Sequence, residues 1–184
     1  MNLHIAGQYR RELEVAERAV EVAEQVGDTR MRTWAETTRG MALATLGDLA
    51  AGRRAGEEAI PVAEASNDYF GLLSAVHYLG EVCAAQGDFA AATAYYTHAL
   101  ELAERLGARS RISAETANLA EIAFYQGDWQ RARELAERAV EIAREASAGR
   151  AGSYFQYANV YRQLATILAA QGDWERALPY LEDS

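Results

Sequence analysis

A chain of 184 residues with 27 acidic and 18 basic side chains carries a net charge of −9, which speaks against a general nucleic-acid face, since that needs clustered positive charge. All 18 of those basic residues are arginine, so a Walker-type phosphate loop, a Schiff-base lysine and a catalytic lysine are excluded within these residues. No apolar run reaches the roughly 20 residues of a membrane span, no secretory signal opens the chain, and the lone Cys83 rules out an internal disulfide; together these predict a cytoplasmic protein with no membrane contact.

Half of the residues are hydrophobic and only two are proline, a balance that favours an all-α protein. The first predicted helix covers 7–26, where Leu13, Ala16, Val20 and Ala23 recur at helical spacing and Glu14 and Arg18 form an i,i+4 pair on the wet side. Further helices are predicted over 29–46, 48–66, 68–86, 88–106, 109–126, 128–146 and 153–171, and from 173 onward. Pro61 should kink or shorten the 48–66 helix near Glu57, because it removes a backbone donor and crowds the preceding turn. The small residues over 146–153 predict a longer, mobile loop.

A Gly-Asp step separates many of these helices. Gly47-Asp48, Gly87-Asp88 and Gly127-Asp128 stand forty residues apart, and Gly172-Asp173 follows forty-five later. Gly27-Asp28 punctuates the first pair in the same way, and Ala16 to Ala23 recurs almost unchanged as Ala136 to Ala143. Glycine closes a helix in the left-handed conformation, and the following aspartate caps the next helix with its carboxylate. The aromatic or leucine behind each step (Tyr9, Leu49, Phe89, Trp129, Trp174) is predicted to pack across the turn. The small residue three further on (Gly52, Ala92, Ala132, Ala177) is predicted to let two helix backbones approach. Self-similarity at fixed period is the mark of a solenoid. The expected architecture is a right-handed α-α superhelix of antiparallel helix pairs, about nine helices, in a single domain over 1–184 with joints near 47, 87, 127 and 172. Both ends would leave an apolar face uncovered, so the chain is expected to be part of a longer protein and a monomer or weak homodimer.

Leu79-Gly80, Gly87, Phe89, Ala92, Tyr96 and Ala99 resemble the tetratricopeptide repeat consensus in its Leu-Gly, Gly-Asp-aromatic, alanine, aromatic and alanine positions. The other repeats depart from it: Arg39-Gly40 keeps only the glycine, Leu119-Ala120 and Leu164-Ala165 replace it, and Ala136 stands at the second aromatic. Long repeats of this kind, with segments such as Ala99 to Gly107, are similar to the sensor regions of bacterial transcriptional regulators of the MalT, LuxR and SARP type. They are similar also to repeats fused to some adenylate cyclases. The resemblance implies a regulatory module that binds a protein, a peptide or a small inducer; the alternatives are a self-association scaffold and an accessory segment of a multidomain enzyme.

In that family the first helix of each pair lines a concave groove. Counting back from each Gly-Asp step places Trp34, Thr37, Met41, Ser74, His77, Glu81, Asn118, Glu121, Phe124, Asn159, Arg162 and Thr166 there. Asn118 and Asn159 suit a peptide backbone, and Arg162 a carboxylate held bidentately. His77 and Glu81 share a helix face, but no second histidine at ligand spacing accompanies them, so no metal is expected. Cys83 falls at a core position. Tyr154, Phe155, Tyr157 and Tyr161 form a second candidate surface for a partner. Carboxylate pairs such as Glu57-Glu58 sit on amphipathic helices, so neither catalysis nor a cofactor is expected.

Overall fold

The computed structural model of the chain describes residues 8–147 and 154–182. Among these the chain forms nine α-helices and no strand: α1 (Tyr9–Val26), α2 (Thr29–Thr45), α3 (Leu49–Ala65), α4 (Tyr69–Ala85), α5 (Phe89–Arg105), α6 (Arg109–Tyr125), α7 (Trp129–Ser147), α8 (Tyr154–Ala170) and α9 (Trp174–Glu182). The fold is an all-α tetratricopeptide-like solenoid. It divides into two compact units, Met1–Tyr95 and Tyr96–Ser184. Of the loop expected over 146–153, Ala146 and Ser147 extend α7 and the remainder lies outside the described residues, as do the side chains of Tyr154 and Phe155.

The Gly-Asp joint works as its chemistry requires. At Gly87, with φ 76°, the glycine amide donates to the Ala84 carbonyl and the Asp88 amide to the Cys83 carbonyl at 2.9 Å. That Schellman closure satisfies the last carbonyls of α4. Asp88 Oδ1 then accepts from the Ala91 amide at 3.1 Å and caps α5. The same capping bond joins Asp28 to Met31, Asp48 to Ala51, Asp68 to Gly71 and Asp128 to Arg131. Joints recur every twenty residues rather than every forty, and one of them uses Asn67 (φ 54°) where the others use glycine. Asparagine tolerates the left-handed region because its short polar side chain bonds locally, so a search for Gly-Asp passes over this joint. Ala108 replaces the aspartate at another, and α6 accordingly has no side-chain cap.

Two expectations are corrected. α3 runs through Pro61 to Ala65 and is not shortened near Glu57. Pro61 is on the exposed face, and Ala55, Ala59 and Ala63 on the opposite side are fully packed, so tertiary burial offsets the one missing backbone bond. Arg18 pairs with Glu21, one turn further on. Trp129 packs across its turn as expected, its ring 5.6 Å from Phe124, though it and Trp174 stay 45% and 59% exposed. The small residues three positions on behave as predicted, with Ala92, Ala132 and Ala177 at 0% exposure.

Within unit 1, α2 lies against α1, α3 and α4; within unit 2, α6 and α8 lie against each other and both against α7. Among the described residues no comparable contact joins α1 to α3 or α7 to α9. The even-numbered helices therefore form the tighter row in each unit, which we call the inner row.

Candidate functional site

The residues expected in the groove divide between the two inner rows. In unit 1, Trp34 projects from α2 with 60% of its surface exposed, and Met41 lies half-buried about two turns on. Thr37 does not reach solvent: it is buried and its hydroxyl donates to the Thr33 carbonyl at 2.9 Å. On α4, Ser74 donates to the Phe70 carbonyl at 3.0 Å, and His77 Nε2 lies 3.5 Å from Glu81 Oε1. Phe70 and Tyr69, at 64% and 52% exposure, extend the aromatic character of this row.

In unit 2 the row is more polar and more connected. Glu121 on α6 accepts from the Tyr125 hydroxyl at 3.1 Å and from Gln163 Nε2 on α8 at 2.8 Å. Its charge, with burial and the hydrogen bond, pushes the Tyr125 hydroxyl above the ordinary tyrosine value, while Arg162 pulls the other way. Asn118 is half-buried and donates to Glu115 Oε2 at 3.3 Å, across one turn of α6. Asn159, Arg162 and Thr166 are exposed on α8, with the Thr166 hydroxyl donating to the Arg162 carbonyl at 2.9 Å. Phe124 is half-buried between two neighbours, its ring 5.8 Å from Tyr125 and 5.6 Å from Trp129.

Counting from the joints missed Gln163 and Tyr125. Tyr125 stands i,i+4 from Glu121, a signal present in the sequence. Gln163 holds the place nine residues before Gly172 that Tyr78 holds before Gly87, a place that reads as core in one repeat and as groove in the other. Tyr157 and Tyr161, proposed as part of a partner surface, are 4% and 6% exposed and belong to the unit 2 core. Tyr161 stacks on Tyr180, which carries Arg144 over its ring at 5.5 Å.

Reactive chemistry finds little support on this frame. Cys83 is buried and burial pushes its thiol upward despite the nearby Arg53 guanidinium, which leaves it a packing residue. Among the described residues no three of histidine, cysteine, aspartate and glutamate are grouped to hold a metal ion. No helix among them is long and apolar enough to cross a membrane. What the inner rows offer is exposed amide, guanidinium and aromatic surface on rigid helices, which is binding chemistry.

Comparison with known proteins places the family and the fold. The sequence profile described as MalT-like TPR region matches residues 4–184. Among solved structures the chain is similar to BtubC (BKLC) from P. vanneervenii, with a TM-score of 0.79 at 19% identity, covering 98% of this chain and 73% of that one. It is similar also to the apo form of RapI, with a TM-score of 0.74 at 16% identity, over 100% of this chain and 63% of the other. A third likeness is to a Signal Transduction ATPase with Numerous Domains from Pyrococcus horikoshii, a protein with a tetratricopeptide repeat sensor; the TM-score is 0.71 at 18% identity, over 95% of this chain and 26% of that protein. At these identities the likeness shows the fold. No curated protein matches the sequence.

Proposed function

The chain belongs to the MalT-like TPR region family, and from that premise we propose that it is the ligand-sensing part of a cytoplasmic bacterial transcriptional regulator. Its inner rows receive an extended peptide or protein segment, and binding is transmitted to an effector domain. The family match and the likeness to a protein with a tetratricopeptide repeat sensor support a sensing role.

The observation that carries the reading is on the α6–α8 face. Asn159 and Arg162 stand exposed one turn apart on α8. Among the described residues no carboxylate forms an ion pair with Arg162. An amide and a guanidinium in that arrangement can bond a peptide carbonyl and a carboxylate together, and the rigid helix bearing them limits the entropy lost on binding. A small inducer would use the same groups with less buried area.

Peptide display against the purified chain, followed by calorimetric titration of the selected peptide, tests this. Asn159→Ala combined with Arg162→Ala should weaken binding by about 2 kcal/mol or more, as the loss of charge-assisted hydrogen bonds does, with helicity by circular dichroism unchanged. Unchanged affinity in the double variant would remove the site from this face.

A further inference from the structure

The aromatic group at the α6–α7 joint is more than the joint needs. Phe124, Tyr125 and Trp129 place three rings within 6 Å steps of one another, and Tyr125 and Trp129 are 56% and 45% exposed. Eighty residues earlier the equivalent joint is built from Ala44, Thr45 and Leu49 and closes with the same backbone bonds. Rings of this size left half in water forgo part of the free energy that burial would give, so joint geometry does not account for them. Exposed aromatic clusters beside polar groups are instead typical of binding hot spots.

The charges around the shelf select its partner. Both oxygens of Glu121 are held by donors, Tyr125 on one side and Gln163 on the other. Arg162, next to Gln163 on α8 and close enough to Tyr125 for its charge to act on that hydroxyl, has no carboxylate partner among the described residues. Glu121 keeps its negative charge, since both donors are neutral, but its oxygens are occupied, so Arg162 is the charged group beside the shelf whose side chain is left to bond a ligand. Resting on the peptide-binding reading above, we propose that Phe124, Tyr125, Trp129 and Arg162 form a subsite for a peptide segment in which an acidic residue stands next to an aromatic one. The aromatic side chain stacks against the shelf, in the edge or offset geometry that ring quadrupoles favour. The neighbouring carboxylate takes the guanidinium as a bidentate fork. Tyr125 is oriented for this by its bond to Glu121.

The test uses three short capped peptides, acetyl-Ser-Glu-Phe-Ser-amide and its Lys-Phe and Glu-Ala counterparts, titrated into the isotope-labelled chain by NMR. The Glu-Phe peptide should move the Trp129 indole and Arg162 side-chain signals and bind about tenfold more tightly than either control, equivalent to about 1.4 kcal/mol. Arg162→Gln should abolish discrimination between Glu-Phe and Lys-Phe. Trp129→Leu, which installs the unit 1 residue, should abolish discrimination between Glu-Phe and Glu-Ala. Both positions are exposed, and circular dichroism confirms that each variant folds. Equal binding of Glu-Phe and Lys-Phe, or shifts that spare Trp129, overturns the subsite. If displayed peptides still depend on Asn159 and Arg162, the sensing role survives that result; if no displayed peptide binds, both fall together.

Discussion

Where α2 meets α3 in unit 1, Gly40 and Gly52 are so close that a Cβ on either would lie 3.0 Å from the other's carbonyl oxygen. Eighty residues on, α6 and α7 of unit 2 carry Ala120 and Ala132 at the same places, both fully buried. The difference propagates to the next helix. In unit 1 the space left by Gly40, Gly52 and Gly56 is taken by the Tyr78 ring, 3% exposed, with its hydroxyl 2.6 Å from the Cβ that Gly52 lacks. In unit 2, with methyl groups in that space, the residue at Tyr78's place is Gln163, which bonds Glu121 on the inner row instead. A methyl group more or less between two helices thus decides whether one position of the third belongs to the core or to the binding face. The buried carboxylate also shifts by one position: unit 1 buries Glu36 against Arg39 at 2.7 Å, whereas in unit 2 Thr116 stands at that place, bonding the Ile112 carbonyl, and the buried carboxylate is Glu115.

The sharpest way to break this comparison is to give unit 1 the unit 2 methyl. Gly52→Ala should destabilise by about 1–3 kcal/mol, the usual cost of overpacking, because the added Cβ meets both the Tyr78 hydroxyl and the Gly40 carbonyl. Tyr78→Phe alone should cost little, since the buried hydroxyl finds no hydrogen-bond partner, and it should recover part of the loss when combined with Gly52→Ala. Urea melts of the three variants decide it; a silent Gly52→Ala would mean that the glycines are incidental.

A smaller effect separates two kinds of joint, because Asp88 accepts from Arg53 in unit 1 as Asp173 does from Arg133 in unit 2, whereas Asp128 has no such partner among the described residues. Asp128 caps α7 alone, whereas Asp88 caps α5 and also accepts from Arg53 at 3.3 Å. Asp128→Ala should cost about 1 kcal/mol, and Asp88→Ala a few tenths more, as expected of a half-exposed ion pair. Thermal melts at 0.1 M and 1 M salt should show the excess at Asp88 shrinking with screening; an excess that ignores salt would assign it to packing.

The smallest effect is a slope. Burial raises Glu36 above the ordinary carboxylate value more than Arg39 and Arg32 lower it, with Glu58 and Glu24 adding to the rise. A raised value means that the folded state holds the proton more tightly than the unfolded chain. Stability is then fullest below the ordinary carboxylate value and declines as pH rises through the raised one. Glu36→Gln should flatten that decline in unit 1, while Thr116→Val in unit 2 leaves it unchanged. Chemical melts from pH 4 upward measure the slope, and an identical slope in the Glu36→Gln variant would show that Arg39 keeps the carboxylate charged throughout.

The helices, the joints and the small residues at the helix contacts were legible in the sequence because each is a local matter. Glycine followed by aspartate closes one helix and opens the next through bonds that span six residues, as at Cys83 to Asp88. Periodicity then made the fold readable. The tertiary structure decided what lies between repeats. It left α3 whole despite Pro61, because the buried alanine face outweighs one lost backbone bond. It buried Tyr157 and Tyr161 and left Trp129 in water, since exposure depends on which helix arrives from forty residues away. It turned Gln163 toward Glu121 and left Arg162 facing outward. Spacing along one helix assigns residues to a face, but whether that face is covered depends on the volumes on its neighbours, as Gly52 and Ala132 do for Tyr78 and Gln163.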